Sequence, residues 1–330
     1  MNFIKYVAPW ATSPSLGVTA LPTWCYWEGI TCDELFTSKS FGRILVLNLR
    51  MRGLSGTLPD SIGHFHSLVS FDIAGNSLSG SIPNSIISWS NSITSIHLAS
   101  NKLSGTIPSM IGSLKSLTNL QLANNLLHGS IPDSIVGLTA LLHLGLTNNS
   151  LSGAVPSSIC SMISLNTLTL SGIKLQGSIP KELGYLTSLS DFDVSSNSLT
   201  GIIPSSIGNM KSLTSFSCDR NSLIGSLPST MGLMSALQKM NAGNNLLTGT
   251  IPPQFSKLLE LTEVGLENNH LTMGLHKSVP LSTFSSKTLR GQITLCNNCL
   301  THEHISSTSR PCDAANRPTT CRPTAKSLTG

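Results

Sequence analysis

The sequence has little charge. Asp, Glu, Lys and Arg make up 11% of its 330 residues, whereas soluble domains usually carry about 25%. Low charge together with 27 glycines and 17 prolines favours disorder only in a chain that is poor in large aliphatic residues. Leu and Ile are abundant here and regularly spaced, so the chain can bury a core. No apolar run approaches the roughly 20 residues of a membrane-spanning helix.

Basic residues are scarce outside the C-terminal end. Residues 1–276 hold 13 Lys or Arg and 13 Asp or Glu, so this part of the chain is neutral. Residues 277–330 hold seven Lys or Arg with only Glu303 and Asp313. Because nucleic-acid-binding solenoids need a basic stripe, the neutral body excludes nucleic acid as the expected partner.

Prolines mark an internal repeat. Nine of them, from Pro59 to Pro252, are separated by seven intervals of 24 residues and one of 25. Each closes a phrase such as Leu-Ser-Gly-Thr-Ile-Pro at 103–108. Each phrase follows a Leu-x-x-Leu-x-Leu-x-x-Asn block such as the one from Leu117 to Asn125. This is the leucine-rich-repeat signature, and it covers about three quarters of the chain.

Each repeat predicts a short strand with one buried face. Leu120 and Leu122 alternate with Asn119, Gln121 and Ala123, which is the period-2 pattern of a half-buried strand. One coil cannot bury its own apolar edge, so neighbouring coils stack on it. We therefore predict a leucine-rich-repeat solenoid, a curved right-handed α/β superhelix of about ten 24-residue repeats. Its short parallel β-strands form the concave face, and irregular or 3-10 turns and short helices form the convex side. The predicted strands centre on Leu47, Phe71, Ile96, Leu120, Leu144, Leu168, Phe192, Phe216, Met240 and Val264.

An asparagine recurs at the bend after the strand. A buried Asn amide there can satisfy backbone groups of adjacent coils, each of which would cost about 1–3 kcal/mol if left unpaired. Arg52 and Ile173 replace it in the first and sixth coils, and we predict a weak point at Ile173. The predicted ladder consists of Asn76, Asn101, Asn125, Asn149, Asn197, Asn221, Asn245 and Asn269.

Six of the eight cysteines lie outside the regular coils. Cys25 and Cys32 precede the first strand and predict a disulfide-closed cap within residues 1–42, followed by the solenoid at 43–276. Residues 277–330 predict a degenerate capping strand around Ile293–Leu295 and a basic tail. Cysteines at both ends of an array indicate an oxidising compartment. The tail disulfide candidates are Cys296, Cys299, Cys312 and Cys321.

Zinc is the alternative for the tail cysteines, with His302 and His304 as further ligands. Eight residues separate Cys312 from Cys321, unlike the second Cys-x-x-Cys pair of a structural zinc site. Disulfides are therefore favoured, and we predict no metal and no cofactor. Cys160 and Cys218 occupy apolar positions within coils, where a free thiol packs as a small hydrophobe.

The chain resembles the plant-type extracellular leucine-rich-repeat family, which includes polygalacturonase-inhibiting proteins and the ectodomains of receptor kinases. The resemblance lies in the Leu-Ser-Gly-x-Ile-Pro repeat and in the Trp27-x-Gly29-Ile30-x-Cys32 cap. It implies a curved solenoid that is secreted or located in the cell wall and binds a protein, peptide or carbohydrate, in defence or in signalling. The chain departs from the family in two features: no clear signal peptide is visible within residues 1–20, and no membrane span or kinase follows the array.

The outward strand positions change character along the array. They are small or neutral in the first six coils, as at Thr118, Gln121 and Gly145, and charged from the seventh. We predict a partner-binding patch on the concave face, with ordinary solvated surface as the alternative. The predicted patch consists of Asp191, Asp193, Asp219, Arg220, Lys239, Glu263 and Glu267.

A catalytic pair is the sharpest alternative for Asp191 and Asp193. Same-face neighbours on a strand lie about 7 Å apart, within the range of roughly 5–9.5 Å that separates glycosidase carboxylates. Nothing in the sequence supplies a pocket that would raise one pKa, so we predict that the chain is not an enzyme. His97 and His143 are expected on the strand face as surface residues rather than as metal ligands.

A row of hydroxyl groups supports a rival hypothesis. Ser or Thr recurs just before Ile-Pro or Leu-Pro, and a flat regular row can order water. The rival is a structural wall or surface protein, or an ice-binding solenoid, that acts through this flank. Separately, Asn148-Asn149-Ser150 is the sole N-glycosylation sequon. The hydroxyl row consists of Thr57, Ser81, Thr106, Ser130, Ser178, Ser226 and Thr250.

Overall fold

One short strand in every coil builds the concave face. The computed structural model describes residues 23–33, 43–272 and 293–294. Apolar residues at the central strand position point into the core, and the residues on either side point outward, as the period-2 pattern predicts. We number coils 1 to 10 by their concave strands. In order, these are Ile44–Asn48, Ser70–Asp72, Ser95–His97, Asn119–Gln121, His143–Gly145, Thr167–Thr169, Asp191–Asp193, Ser215–Ser217, Lys239–Asn241 and Glu263–Gly265.

These strands pair in parallel and in register. Leu120 pairs with Ile96 of the preceding coil and with Leu144 of the following one, and the same alignment runs through the array. An antiparallel strand, Ile30–Cys32, precedes coil 1. The strand Ile293–Thr294 pairs in parallel with the strand of coil 10, at the position where an eleventh strand is predicted. The predicted solenoid of about ten repeats is confirmed.

The convex side consists of 3-10 turns. Each turn follows the repeated proline, which has an extended conformation. The turns span only five or six residues, too few for the hydrogen bonds of an α-helix to offset the free-energy cost of its nucleation. The predicted 3-10 turns of the convex side are therefore confirmed, and all helical turns among the described residues are of the 3-10 type. The turns span Asp60–His64, Asn84–Trp89, Ser109–Ser113, Asp133–Gly137, Ser157–Ser161, Lys181–Tyr185, Ser205–Asn209, Ser229–Leu233 and Pro253–Lys257, with a further turn at Thr23–Tyr26 in the cap.

A second set of short strands, not predicted from the sequence, lies on the flank between the two faces. They contain the Leu-x-Gly phrase, whose glycine has positive φ, as at Gly129 (φ 82°). This φ favours glycine over residues that have a Cβ, and a Cβ there would also lie only 3.0 Å from the Thr106 methyl group of the preceding coil. The flank strands are Ser55–Thr57, Ser77–Ser81, Lys102–Ser104, His128–Ser130, Ser150–Ser152, Ile224–Gly225, Leu246–Gly249 and His270–Leu271.

One apolar core runs the length of the array. The repeated leucines and isoleucines are almost completely buried, and aromatic residues replace them in places. Phe192 and Phe216 stack with ring centroids 6.0 Å apart. The ring of Trp89 packs edge-on against Phe71, and its Nε1 donates to the carbonyl of Ile62 at 3.2 Å. The buried indole is therefore satisfied, as burial of a polar group requires.

The recurring asparagines connect consecutive coils. Asn149 shows the pattern: its Nδ2 donates to the carbonyls of Leu122 in coil 4 (3.0 Å) and Leu146 in its own coil (2.8 Å), and its Oδ1 accepts the N–H of Leu127 (3.1 Å). The same contacts recur at the other seven ladder asparagines of the described coils. Arg52 and Ile173 occupy the ladder position in coils 1 and 6, as the sequence indicated.

The N-terminal cap is a disulfide-closed loop. Cys25 and Cys32 are bonded to each other, and Glu28 pairs with Arg52 of coil 1 at 2.5 Å. The Arg52 guanidinium holds the pKa of the Glu28 carboxyl below its usual value.

The remaining cysteines divide into two groups. Cys160 and Cys218 are free and buried, and burial raises the pKa of the Cys160 thiol to about 11. The tail disulfide and zinc candidates lie outside the described residues: Cys296, Cys299, Cys312, Cys321, His302 and His304.

Candidate functional site

The predicted patch residues share one surface. The outward positions of the concave strands form three columns that run across the coils. Asp191, Lys239 and Glu263 lie in the first column, and Asp193 lies in the second. Asp219 and Glu267 occupy a third column two residues further along, and Arg220 follows Asp219 at the edge of the sheet. We call Asp191, Asp193, Asp219 and Glu267 the acidic patch.

Asp191 and Asp193 flank the buried Phe192 on the strand of coil 7, so both carboxyl groups face outward. Each is half-buried against the sheet. Burial raises the pKa of Asp191 above its ordinary value, a hydrogen bond with Ser215 opposes this, and the charge of Asp193 adds to it. Asp193 Oδ1 accepts the N–H of Ser195 at 2.9 Å. A backbone donor therefore holds the Asp193 side chain in place, whereas Asp191 carries a desolvation cost.

Asp219 and Glu267 bracket a strand position that has no side chain. Gly243 lies between them in the third column, and a Cβ on it would lie 2.5 Å from a Glu267 carboxylate oxygen. The Glu267 carboxylate therefore folds over Gly243 towards Asp219. Burial is the main cause that raises the pKa of Asp219, Arg220 opposes it, and the charges of Asp193 and Glu267 raise it further. The carboxylates of coils 7 to 10 therefore act on one another.

The predicted cations lie at the edge of this surface. Arg220 has positive φ (53°), is largely exposed, and its Nε is 3.9 Å from Asp219 Oδ2. Lys239 Nζ lies 3.6 Å from Glu263 Oε2, and both side chains are more than half exposed. Exposed pairs of this kind contribute at most about 1 kcal/mol. Five carboxylates face two cations here, so the surface keeps an excess of negative charge.

The N-terminal half of the concave face is less neutral than predicted. Asp72 and His97 occupy the second column, with His97 Nδ1 3.8 Å from Asp72 Oδ2. Asp72 Oδ1 accepts the N–H of Ala74 at 2.9 Å, and His97 Nε2 is buried without a hydrogen-bond partner. The alternation that located Asp193 also places Asp72 outward. Asp72 lies outside the predicted patch because an isolated charge in one coil forms no run with its neighbours along the array.

Amide and imidazole groups continue from there across the middle of the face. Gln121 donates to Asn119 Oδ1 at 3.0 Å, and its side chain covers Gly145, where a Cβ would meet Gln121 Oε1. His143 Nδ1 lies 3.1 Å from Thr167 Oγ1. These side chains therefore bond to one another across the middle of the face.

The flank carries the predicted hydroxyl row, with interruptions. Thr57, Ser81 and Thr106 are exposed on coils 1 to 3. Ala154 and Ile202 break the row further along. Ile202 and Ile224 pair across coils 7 and 8 and are 58% and 48% exposed. The regular part of the row is therefore confined to the N-terminal coils.

The predicted glycosylation site lies at the edge of the concave sheet. Asn148 is exposed with positive φ (53°), and its Nδ2 donates to Asn124 Oδ1 at 2.8 Å. Among the described residues, no three His, Cys, Asp or Glu side chains are grouped closely enough to hold a metal ion. None of the helices in the described ranges is long and apolar enough to cross a membrane.

The repeated coil with its strand, ladder asparagine and proline turn defines a leucine-rich-repeat protein. Models of the family described as leucine rich repeat match residues 91–151, and also 67–89, 188–210 and 236–258. The chain therefore contains leucine-rich repeats and is similar to plant receptor ectodomains.

Relatives and solved structures refine this likeness. Over 94 residues the chain is 36% identical to the LRR receptor-like serine/threonine-protein kinase GSO2 of Arabidopsis thaliana, a match that covers 28% of this chain and 7% of that receptor. It is similar to the LRR ectodomain of the Arabidopsis thaliana receptor kinase GASSHO1/SCHENGEN3 (TM-score 0.79, 34% identity), over 84% of this chain and 32% of that one. It is also similar to a plant ice-binding protein (TM-score 0.69, 25% identity), over 88% of this chain and 89% of that one. The chain thus spans under a third of the receptor ectodomain and most of the ice-binding protein.

Proposed function

We propose that the chain is an extracellular recognition protein that binds a protein, peptide or glycan on the concave face of coils 7 to 10. The observation that carries this proposal is the acidic patch on the concave sheet face of coils 7 to 10. Its carboxylates are half-buried and repel one another, which is unfavourable in the free protein. A cationic or hydrogen-bond-donating ligand would offset this desolvation and repulsion.

Two further observations support an extracellular ligand. The Cys25–Cys32 disulfide suits an oxidising compartment. The GASSHO1/SCHENGEN3 ectodomain, which has the same repeat architecture, was solved in complex with Casparian strip integrity factor 2. Transfer of ligand binding to this chain is our proposal, and either defence or signalling is compatible with it. Under this proposal the array serves as a binding surface and does not catalyse a reaction.

The test compares partner capture by two charge-matched variants. In the first, Asp191, Asp193 and Asp219 are changed to lysine on the concave face. In the second, Asp60, Asp133 and Glu260 are changed to lysine, which alters the formal net charge equally at exposed convex positions. A photoreactive residue in place of Ser215 would crosslink a partner bound at the patch.

We expect the parent and the convex variant to capture the same partner from plant extracellular extract, and the concave variant to lose it. Circular dichroism establishes that all three chains are folded. Equal capture by both variants, or a crosslink that survives the concave substitutions, would rule out the patch as the binding site.

Ice binding through the flank is the second candidate. It is favoured by the likeness to a plant ice-binding protein over 88% and 89% of the two chains, and by the exposed hydroxyl groups of Thr57, Ser81 and Thr106. The chain should then inhibit ice recrystallisation, and Thr57→Lys with Thr106→Lys should abolish the effect. Ser70→Lys with Thr167→Lys on the concave face is the matched control. Absence of any effect on ice growth by the parent chain would eliminate this candidate.

A further inference from the structure

The asparagine ladder is interrupted at one contact between coils. Eight of the nine contacts between consecutive coils from 1 to 10 are spanned by an Asn amide. The exception is the contact between coils 5 and 6, where Ile173 occupies the ladder position. Ile173 is fully buried, but its side chain cannot accept the N–H of Leu151 or donate to the carbonyl of Leu146.

Backbone hydrogen bonding at this contact is also reduced. At five contacts the N–H of the ladder Asn donates to the next coil, as Asn125 does to the carbonyl of Asn148 (3.2 Å). Asn149 makes no such bond to coil 6, and Asn76 makes none to coil 3. Leu146 and Asn148 still donate to Thr169 and Ser171 across the contact between coils 5 and 6, both at 2.9 Å. The Asn side-chain bonds between coils are absent there, whereas Asn197 restores them at the next contact with bonds to Leu170 and Leu175.

The flank does not compensate for this loss. Coils 4 and 5 pair through Ser150–Ser152, whereas coils 5 and 6 share only the isolated bridge between Gly153 and Leu175. Isolated bridges also join coils 6 to 7 and 7 to 8, but Asn197 and Asn221 span those two contacts. The contact between coils 5 and 6 alone lacks both the amide and extended flank pairing.

The backbone of coil 6 is unusual at the same place. Neighbouring coils have one residue with positive φ at this bend, such as Asn148 or Ser196. Coil 6 has two, Gly172 (φ 65°) and Lys174 (φ 58°). The bend of coil 6 therefore differs in backbone geometry from the bends of coils 5 and 7.

We propose that coils 1–5 and coils 6–10 are two cooperative units, joined at a hinge between coils 5 and 6 that opens while both units remain folded. Stability in a repeat array is a sum of coil and nearest-neighbour terms, so the contact with the fewest bonds opens first. The hinge lies beside the boundary between the neutral and acidic parts of the concave face, because Thr169 pairs with Gly145 on one side and Asp193 on the other. Opening of the hinge changes the position of the neutral part of the concave face relative to the acidic part.

Hydrogen exchange of the full chain tests the hinge. The amides of Leu146 and Asn148 are compared with those of Leu122 and Asn124 at one ladder contact, and with those of Val194 and Ser196 at another, in low concentrations of urea. We expect exchange at least about tenfold faster at the hinge, because local opening needs less free energy there. Equal rates at the three contacts would overturn the proposal.

Two substitutions move the weak contact. Ile173→Asn restores the ladder and is expected to slow exchange at Leu146 and Asn148 to the rate of the other contacts. Asn221→Ile removes the ladder between coils 7 and 8 and is expected to speed exchange at Val194 and Ser196. If Ile173→Asn fails to fold, the exchange rates of the parent chain and of Asn221→Ile still test the proposal. Fast exchange at Leu146 that persists unchanged in a folded Ile173→Asn variant would show that the missing amide is not the cause.

Discussion

The Oδ1 atom of Asn125 accepts the backbone N–H of Leu103, one coil away, at 3.0 Å. Its Nδ2 donates at the same time to the carbonyls of Leu98 and Leu122, both at 3.0 Å. The Asn125 side chain thereby satisfies buried backbone groups of two coils, none of which water can reach. Stacking of coils depends on such amides because the bend after each strand leaves these groups without strand partners.

Asn125→Ala should lower the free energy of unfolding by about 2–4 kcal/mol, since it leaves a buried N–H unpaired and removes two donors. Urea denaturation followed by circular dichroism measures the change. Asn84→Ala, at an exposed position in the 3-10 turn Asn84–Trp89, should alter stability by less than about 0.5 kcal/mol. Similar losses in both variants would contradict the role of the ladder.

Lowering the pH should remove a destabilising contribution that the acidic patch makes to the folded state. Burial raises the folded-state pKa of Asp191 and of Asp219 above the ordinary value of 3.8. The native state therefore binds protons more tightly than the unfolded state, and the ionised groups cost stability above their folded-state pKa. That cost disappears as the pH falls through the folded pKa values towards 3.8.

Asp191→Asn with Asp219→Asn should therefore raise the melting temperature slightly at pH 7, and the difference from the parent should vanish near pH 3.5. Asp60→Asn, an exposed convex carboxylate, is the control and should show no such trend. A melting-temperature difference that grows as the pH falls would mean that the sign of the effect is wrong.

The cap disulfide should stabilise the N-terminal end. Cys25 and Cys32 enclose a loop with a sequence separation of 7, for which the chain-entropy model gives about 2 kcal/mol. Cys25→Ser with Cys32→Ser should speed amide exchange in Ile30–Cys32 and in the adjoining strand of coil 1. Exchange in coil 9 serves as the internal reference, because contacts in the array reach only neighbouring coils. Unchanged exchange at Thr31 would show that packing alone holds the cap.

Asn148 should carry a glycan when the chain is made in a secretory pathway. Its side chain is exposed at the edge of the sheet, and Ser150 completes the sequon. Glycosidase treatment should lower the mass of the parent and leave Asn148→Gln unchanged. Asn268 has the same positive φ and donates to Asn244 at 2.8 Å, but His270 interrupts its sequon. His270→Thr should therefore add a second glycan, and a parent with no mass change would refute the assignment.

The repeat could be predicted from the sequence because each of its residues has a structural role within its own coil. Leu120 fills the core, Gly129 provides positive φ, Pro132 begins the turn, and each recurs after 24 residues wherever the need recurs. The acidic patch could be predicted in part, since alternation alone places Asp191 and Asp193 outward. Asp72 obeys the same alternation and was missed, because an isolated charge gives no pattern along the chain.

The sequence by itself thus determined the solenoid, its strand register and the gap in its ladder, since these follow from a period that every coil shares. Only the tertiary structure decided which charges act on one another. Asp219 and Glu267 are 48 positions apart in the chain and face each other because Gly243 leaves the space between them open. Tertiary structure also decided that no extended strand pairing on the flank replaces the missing Asn bonds between coils 5 and 6. Hydrogen bonds between coils depend on backbone geometry that residue spacing does not encode.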